Sequence, residues 1–518
     1  MKRYSFLLAC LALLGSAGKG FAQNEVDALR YSRTDFGGTA RTMGLGGANV
    51  ALGADAGSFS SNPAGLGLFR RSEITVSAGV NVNDVSSSVY GSTLTNGRNN
   101  LNIPGLSAVF TTRKADDEEG DWRSSSFGIG YTRLNNFNER QTYGGTHPAG
   151  GLKFAEYADQ LANLYGVSNT NENFNIEDLA FATGLINYDE IGNFYYPPDY
   201  SFTPANEDED VQRVLVQTPF SESINTTGSQ NQWDFSYGTS FRDKVFLGAS
   251  LGVSSIKFRR TRTYFESGPT QAQNEQSALQ DLTLMDELLT EGTGVMLKVG
   301  AIFRPSDVLR LGFTVQTPTW YNLTDRYSTN LTVNYTPGVF DRDTEYAATV
   351  PGEFEYSLTT PFRASGGAAV FLGKNGFISA DVEYVDYSNA RLNADGESFQ
   401  EANNASRNKY QSALNYRLGG EARLDVFRLR AGVGVSGDPF KDSEVSQAKT
   451  YFTGGVGIRK TNFFVDAALV YSNYKSLYSP YINQEAGLAG SVYRDAEVPL
   501  VTTTHKNTNL IATVGWNF

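Results

Sequence analysis

The sequence of 518 residues contains one cysteine and two histidines. Cys10 stands near the N-terminus, so disulfide bonds and thiol chemistry are excluded for the rest of the chain. His147 and His505 both fall in segments predicted as outer loops, and two separated histidines make a poor haem or metal site. Because nucleophilic catalysis usually needs a histidine base beside the nucleophile, we expect a protein that is not an enzyme and that binds no metal or cofactor.

The chain also has an excess of negative charge and no long hydrophobic run. The 55 acidic residues outnumber the 43 basic ones, which argues against a nucleic-acid partner. No apolar run of about 18 residues follows the N-terminal segment, so a transmembrane helix is excluded. The mean hydropathy of −0.33 leaves a β-barrel open, because a barrel distributes its apolar residues by alternation. An aromatic content of 13% suits the interfacial girdles of such a barrel.

The N-terminus has the pattern of an export signal. Lys2 and Arg3 precede an apolar core at residues 6–14, and Gly20-Phe21-Ala22 forms a small-x-small cleavage site. We therefore predict a signal peptide at residues 1–22, whose removal also removes Cys10. Residues 7–10 resemble a lipoprotein cleavage box, but cleavage there would leave a very short signal, so we favour ordinary cleavage over lipidation.

The last segment of the chain alternates strictly between apolar and polar residues. Leu510, Ala512, Val514, Trp516 and Phe518 share one face, and polar or small residues occupy most of the other. This alternation predicts a β-strand with one apolar face. A strand that ends on an aromatic residue is typical of the closing strand of an outer-membrane barrel, where Phe518 would be the signal for the barrel-assembly machinery.

Similar alternation marks thirteen further segments, and the sequence therefore predicts an all-β fold, a transmembrane antiparallel β-barrel of about fourteen strands. These segments lie near residues 73–82, 104–113, 124–135, 231–242, 244–258, 294–304, 309–317, 361–372, 376–388, 416–424, 426–436, 450–459 and 462–473. The connections alternate between short turns and long loops, as they do in outer-membrane barrels. The longest predicted extracellular loops are 136–230, 259–293, 319–352 and 474–506.

Two segments do not fit a plain barrel. Residues 23–72 are rich in small side chains without alternation, and we predict that they form a hatch inside the lumen, which fourteen strands would otherwise leave open. The barrel would then occupy residues 73–518. Residues 277–289 repeat their apolar residues at helical spacing, so we predict a short amphipathic helix in that loop. A second loop helix is predicted at residues 153–164.

The chain resembles the FadL-like family of long-chain fatty-acid and hydrocarbon transporters of the outer membrane. The resemblance is carried by residues 44–51, by residues 55–57 and by the Ser-Asn-Pro-Ala-Gly-Leu segment at residues 61–66. Shorter matches follow in order along the mature chain, among them Phe303-Arg304-Pro305 and residues 381–388. The family fold is a fourteen-stranded barrel with an N-terminal hatch, located in the outer membrane of Gram-negative bacteria.

The resemblance implies a route for hydrophobic ligands such as long-chain fatty acids. Extracellular loops would capture the ligand, pass it to a site above the hatch and release it sideways through a kink in the third strand. The hatch turn would be Asn62, Pro63 and Ala64. The kink would lie at Gly128 and Gly130, since glycine inside a strand often marks a bend. The outer pocket would be lined by Leu282, Leu284, Met285, Leu288 and Leu289.

Charged residues on the lumen side allow two interpretations. The arginines Arg363, Arg417, Arg423, Arg428 and Arg430 could pair with a ligand carboxylate. Alternatively they bond to Asp381, Glu383, Glu421 and hatch carboxylates, which is the interpretation we favour for any single arginine. A different function is also open, since FadL-like barrels occur as accessory components of protein secretion. The acidic segment 206–210 would serve that role. In either case we expect a monomer in contact with outer-membrane lipid.

Overall fold

The computed structural model describes residues 25–115, 117–168, 175–198, 215–269, 278–338, 343–488 and 491–518. The predicted signal peptide with Cys10 and the acidic segment 206–210 lie outside the described residues.

The chain forms a β-barrel whose strands have the following bounds. They are Glu73–Val89 (β1), Ser92–Arg113 (β2), Trp122–Asn136 (β3), Glu139–Thr146 (β4), Asn187–Asp189 (β5), Phe194–Tyr196 (β6), Pro219–Phe241 (β7), Val245–Ser267 (β8), Leu279–Phe303 (β9), Leu309–Gln316 (β10), Trp320–Tyr335 (β11), Thr344–Ala348 (β12), Gly352–Thr359 (β13), Arg363–Phe371 (β14), Gly376–Asp386 (β15), Arg391–Asn393 (β16), Ser412–Leu424 (β17), Phe427–Ser436 (β18), Lys449–Arg459 (β19), Phe463–Tyr478 (β20) and Val501–Asn517 (β21).

The described strands form a closed antiparallel wall of fourteen strands, which confirms the predicted fold class. Some wall strands are interrupted, so β3 continues as β4, β10 as β11, and β13 as β14. The last strand, β21, pairs with β1 from Glu73↔Asn517 to Ser88↔Thr502 and closes the barrel. Closure leaves no unpaired sheet edge along this junction.

The outer surface of the wall confirms the alternation read from the sequence. On β21, Leu510 and Trp516 are more than half exposed, whereas Ile511 and Thr513 on the opposite face are buried. The same pattern repeats around the barrel, with apolar side chains outside and mainly polar ones inside. An apolar outer face and a polar lumen are what a lipid-embedded barrel requires. Among the described residues, no helix is long and apolar enough to span a bilayer.

The strands extend far into all four segments that we predicted as long loops, and the loop 136–230 contains β4 and the first part of β7. Residues 268–278 alone join β8 to β9, so most of the predicted loop 259–293 is paired strand. The predicted loops 319–352 and 474–506 are shortened in the same way by β11 and by β20 and β21. These outer portions carry mostly polar residues on the outside, and those of β9 and β11 turn apolar residues such as Leu284 and Leu331 inward. Alternation cannot detect such strands, although their backbones pair normally.

The predicted helix at residues 277–289 is wrong, because residues 279–289 belong to β9. This part of β9 pairs with β8 on one side and with β11 on the other. Leucines spaced by two and four residues fit one face of a strand as well as a helix, and pairing on both sides selects the strand. The other predicted loop helix, at residues 153–164, is confirmed by Phe154–Tyr165.

Six α-helices occur among the described residues. They are Glu25–Ser32 (α1), Ala40–Gly44 (α2), Ser58–Ser61 (α3), Phe154–Tyr165 (α4), Ile176–Ala182 (α5) and Gln400–Lys409 (α6). Helices α4 and α5 cover the long-loop end of the barrel and pack on an apolar core that includes Val89, Leu282 and Leu284. We call this covering layer the outer cap.

Residues 25–72 lie inside the barrel and are called the hatch below. Helices α1, α2 and α3 and a 3₁₀-helix at Pro63–Leu68 form it, and nearly all of its side chains are buried. Its backbone bonds to lumen-facing side chains of the wall. Thr513 Oγ1 accepts from the Ala40 amide at 2.8 Å, and Asp381 Oδ2 accepts from the Val50 amide at 2.9 Å. These contacts hold the hatch across the lumen.

Glycines in the wall form the sockets that receive the hatch. A Cβ atom on Gly300 would lie 1.9 Å from Asn62 Oδ1, and one on Gly248 would lie 2.3 Å from the Pro63 carbonyl carbon. Both distances are far below van der Waals contact. The Asn62–Pro63 turn can therefore sit against the wall only where side chains are missing.

We expect Gly248→Ala to displace the hatch, because the new methyl group meets the Pro63 backbone rather than a flexible side chain. Overpacking of this kind costs about 1–3 kcal/mol. The measurement is the ion conductance of the purified barrel in planar bilayers, which should rise. Gly366→Ala is the matched control, since a Cβ on that wall glycine meets nothing within 4 Å. Equal conductance of the two variants would contradict the socket interpretation.

Candidate functional site

A cavity of about 90 Å³ lies between the hatch and the wall, and we call it the central cavity. The hatch contributes residues of the segment 31–37 together with Ser60 and Ser61, and the wall contributes side chains from β7, β9, β14, β15 and β17. Much of its lining is polar and includes Lys298, Arg363 and Arg417. The cavity has space for a small polar group rather than for a long hydrocarbon chain.

Several of the charged residues on the lumen side form ion pairs with one another. Glu383 lies 3.1 Å from Arg363 and 3.4 Å from Arg417. A second network joins Glu421 to Arg423 at 2.9 Å and to Arg430 at 2.8 Å. Hatch residue Arg41 approaches Glu421 at 3.6 Å, so this network ties the hatch to the wall.

Arg428 does not belong to either network. It lies beside the short turn between β17 and β18 and donates to the carbonyl oxygens of Asp425 and Phe427. Asp381 has a different partner from the one we expected, since it accepts the Val50 amide of the hatch. The alternation placed these residues on a polar face correctly, but it could not show which cross-strand neighbour each would meet.

A second cavity of about 90 Å³ lies towards the closing strands, and we call it the side cavity. It is lined by a group of asparagines, Asn81, Asn83, Asn136, Asn507 and Asn509, together with Glu139, Lys449 and His505. Asp35 and Phe36 of the hatch border both cavities. These two residues therefore form the partition between the central cavity and the side cavity.

The partition is held by an ion pair and two aromatic contacts. Lys449 Nζ lies 2.7 Å from Asp35 Oδ2, and the Tyr451 hydroxyl donates to Asp35 Oδ1 at 2.9 Å. The Phe36 ring packs against Tyr451 at 4.9 Å between centroids, and the Arg417 guanidinium lies 5.8 Å from the Phe36 centroid. The hatch thus reaches the wall at the level where the two cavities meet.

Asp35 belongs to the hatch and not to the membrane-spanning wall. Burial alone would raise the pKa of Asp35, but the Lys449 ammonium and the Tyr451 hydroxyl lower it below the ordinary value of 3.8. A carboxylate with a lowered pKa contributes stability at neutral pH that is lost only as the pH falls through that lowered value. The partition should therefore stay closed at neutral and mildly acidic pH and open only in strong acid.

We expect Lys449→Met to move this acid threshold upwards, because burial then acts on Asp35 without the compensating ammonium. The measurement is single-barrel conductance as a function of pH. The ion conductance of the wild-type barrel should rise only in strong acid, whereas that of the variant should already rise at a higher pH. An unchanged profile in the variant would show that the ion pair does not close the partition.

The wall is incomplete beside the side cavity. The ladder between β2 and β3 runs from Arg113↔Ser124 only as far as Gly105↔Thr132. Beyond that point residues 92–104 pair with β1, and β4 pairs with β7. Within the described residues, no backbone ladder joins the outer half of β2 to β3 or β4, and we call this gap the seam.

Side chains bridge the seam in place of the backbone. Asn136 Nδ2 donates to Asn100 Oδ1 at 3.0 Å, Arg98 donates to the Thr226 carbonyl at 3.2 Å, and Asn96 donates to Thr142. On the outer surface beside the seam, Leu101 is 82% exposed and Ile103 is 56% exposed. A junction closed by side chains can open without breaking a β-ladder.

The local sequence explains where the seam begins. Pro104 stands at the point where the β2–β3 ladder stops, and proline has no amide hydrogen to donate. The pairing of β1 with β2 shifts at the same place, between Ser77 and Gly79. On the other side, the register of β3 against β7 shifts between Arg133 and Asn135.

We predicted a kink of the third strand at Gly128 and Gly130, but β3 has no irregularity at these two residues. Pairing on both sides of β3 runs evenly through these residues. Their missing side chains make room for Phe59 of the hatch, since a Cβ at either position would lie about 2.5–2.6 Å from its ring. Glycine inside a strand marks close approach as well as bending, and the sequence alone could not distinguish the two.

The leucines predicted to line an outer pocket divide between two faces. Leu282, Leu284 and Leu288 point inward and are buried in apolar clusters below the outer cap. Met285 and Leu289 alternate with them and therefore lie on the opposite face of β9. A wall strand cannot present all five residues to one pocket.

A closed barrel with an apolar outer surface, an internal hatch and a gap in the wall defines the class of outer-membrane channels. The sequence matches the profile of the outer membrane protein transport family described as OMPP1/FadL/TodX over residues 22–476. The chain belongs to this family, a family of outer-membrane transporters of hydrophobic compounds rather than of enzymes. The resemblance noted from the sequence is thereby confirmed.

Solved structures share the fold at low sequence identity. A FadL homologue of Pseudomonas aeruginosa has a TM-score of 0.54 at 12% identity, with 94% of this chain and 99% of that chain covered. The toluene transporter TodX of P. putida has a TM-score of 0.50 at 12% identity, covering 93% of this chain and 99% of that chain. No curated protein matches the sequence.

Proposed function

We propose that the barrel is a passive uptake channel for hydrophobic molecules that carry a small acidic head group, such as long-chain fatty acids, and that it releases them laterally through the seam. The observation that carries this proposal is the seam itself, since the wall between β2 and β3 is held there by side chains alone. It lies beside a cavity that shares the hatch partition with the central cavity. In this proposal the two cavities and the seam form a route that becomes continuous when the partition of Asp35 and Phe36 moves aside.

Lateral release suits the energetics of a hydrophobic ligand. Burial of each methylene group is worth about 0.8 kcal/mol, so transfer of a long chain into water below the hatch would be very unfavourable. Exit at the inner end of the seam, where Leu101 pairs with the lipid-facing Val80, places the chain directly in the bilayer. The exposed Leu101 and Ile103 provide an apolar surface at the exit.

Capture would begin at the outer cap. Leu282 and Leu284 belong to its apolar core, and Leu288 lies in the next cluster inward, together with Tyr31 of the hatch. These leucines follow one face of β9 from the cap towards the central cavity. We propose that the hydrocarbon chain moves along this face while its head group precedes it.

The charge of the central cavity supports an acidic head group. Lys298, Arg363 and Arg417 supply three cations, and Glu383 and Asp35 supply two carboxylates. A carboxylate that enters this cavity meets guanidinium donors, whereas an uncharged hydrocarbon would leave the buried polar lining without compensation. TodX, by its name, transports toluene, but the polar lining here favours an amphiphile over a plain hydrocarbon.

We expect Arg417→Met to weaken binding of a fluorescent long-chain fatty acid by about tenfold, because a hydrogen bond to a charged group contributes about 1.5–3 kcal/mol. The corresponding fatty alcohol should bind the wild type and the variant equally. Arg428→Met is the matched control, since Arg428 bonds only to turn carbonyls and lies outside the cavity lining. If Arg417→Met weakens binding of the fatty acid and of the fatty alcohol equally, Arg417 does not recognise the carboxylate head group.

A further inference from the structure

Three side chains from three strands form a hydrogen-bonded relay below the outer cap. Ser476 Oγ on β20 lies 2.8 Å from His505 Nε2 on β21. His505 Nδ1 lies 2.9 Å from Glu139 Oε2 on β4. The sequence predicted an outer loop for His505, but the residue lies on the wall strand β21. Its imidazole stands between a hydroxyl and a carboxylate.

The wall fixes the orientation of this histidine. Tyr474 pairs with His505 across the strands, and its ring stacks on the imidazole at 4.3 Å with an angle of 2° between the planes. Glu139 accepts the Nδ1 proton, which leaves Nε2 as the acceptor for the Ser476 hydroxyl. A nucleophile, a base and an orienting carboxylate in this order form the arrangement that activates serine in hydrolases.

We propose that Ser476, His505 and Glu139 hydrolyse carboxylic esters of hydrophobic acyl chains. Ser476 Oγ attacks the acyl carbon while its proton passes to His505 Nε2. The tetrahedral intermediate expels the alcohol oxygen, which takes that proton from His505 and leaves an acyl-serine. Water then attacks the same carbon and gives its proton to His505, and the carboxylic acid departs as the Ser476 hydroxyl is restored. Glu139 stabilises the imidazolium formed in each step.

The surroundings of the relay supply the other elements of this chemistry. Gln141, two residues after Glu139 and on the same face of β4, donates an amide hydrogen to Thr503 at 3.0 Å. Thr503 is the direct cross-strand partner of Ser476, so Gln141 is the amide donor that we assign to the oxyanion in this proposal. Glu139 and His505 border the side cavity, and Ser476 is half-buried. The aliphatic part of Val85 and the rings of Phe36, Tyr451 and Tyr474 are the apolar groups that line the side cavity beside the relay.

The test uses the full-length mature barrel, purified in detergent and checked for heat-modifiable folding. The substrates are p-nitrophenyl esters of medium-chain acids, and a fluorophosphonate probe is used for covalent labelling. Ser476→Ala and His505→Gln should abolish both hydrolysis and labelling. Glu139→Gln should lower kcat by about a thousandfold or more with little change in KM, as expected for loss of the orienting carboxylate. Ser87→Ala should retain activity, because the Ser87 hydroxyl bonds to Thr503 and not to a histidine.

Mass spectrometry of the labelled wild-type protein gives a readout that needs no variant. The expected result is a phosphonate adduct on the peptide that contains Ser476. Absence of ester hydrolysis by the folded barrel, or an adduct on another serine, would overturn the proposal. Neither measurement involves transport, so failure of the channel function would leave this result unaffected, and the reverse also holds.

Discussion

A reversible crosslink across the seam is expected to stop ligand release. Cysteines introduced by Asn100→Cys and Asn136→Cys would be the only cysteines in the mature chain, because Cys10 lies in the predicted signal peptide. The two asparagine side chains are in direct contact at 3.0 Å. A short bis-methanethiosulfonate linker would therefore join β2 to the end of β3 and hold the seam closed.

The linked barrel should take up a long-chain fatty acid into proteoliposomes at least about tenfold more slowly than the unlinked one, since a closed gate removes the exit step. Reduction should restore the rate. The matched control carries Ser86→Cys and Thr95→Cys, which face each other across the paired strands β1 and β2 at a hydroxyl separation of 2.8 Å. Linkage there should have little effect. Full uptake by the seam-linked barrel would place the exit elsewhere.

The second large effect is expected at the hatch turn. Asn62 Nδ2 donates to the Val50 carbonyl at 2.8 Å and approaches the wall carbonyls of Ala301 and Phe313 at 3.3 and 3.4 Å. Its Oδ1 accepts the Ala64 amide at 3.1 Å and so begins the 3₁₀-helix. One side chain thus joins two parts of the hatch to two wall strands.

Asn62→Ala removes all of these contacts and takes the side-chain donor from the buried Val50 carbonyl, at a cost of about 1–3 kcal/mol for an unsatisfied group. We expect the hatch to loosen and the ion conductance of the barrel to rise strongly. Asn49→Ala is the matched control, because Asn49 donates to Ser61 within the hatch at 3.0 Å and has no wall contact of this kind. If Asn62→Ala leaves the ion conductance unchanged, the glycine sockets alone hold the hatch.

The lipid-facing part of the fold could be read from the sequence because lipid imposes a simple pattern. Every wall strand shows its apolar face where it crosses the bilayer, and these segments were all predicted. Outer halves such as Thr502 to Lys506 escaped detection because they have no apolar face, and the outer half of β9 because its inward leucines were interpreted as a helix. Backbone pairing, which a single sequence does not reveal, holds them in the wall.

The candidate site was predictable only in part, for a related reason. Alternation placed Arg363, Arg417 and Glu383 on the lumen face, but their partners depend on strand register. The seam results from Pro104 on one strand and an irregularity near Arg133 on another, and their proximity appears only in the folded barrel. His505 was assigned to a loop because its segment lacks alternation, so its contact with Ser476 could not be anticipated.

The most direct test of lateral release is a photocrosslinking map of the route. A long-chain fatty acid with a diazirine on its chain would be bound to the purified barrel, irradiated, and its attachment sites identified by mass spectrometry. Lateral release predicts labels along the inward face of β9, at Phe36, and on both sides of the seam, within residues 92–104 and 133–146. Labels on the hatch below Asn62 or on the short-turn end of the barrel, with none at the seam, would contradict it and indicate passage through the hatch.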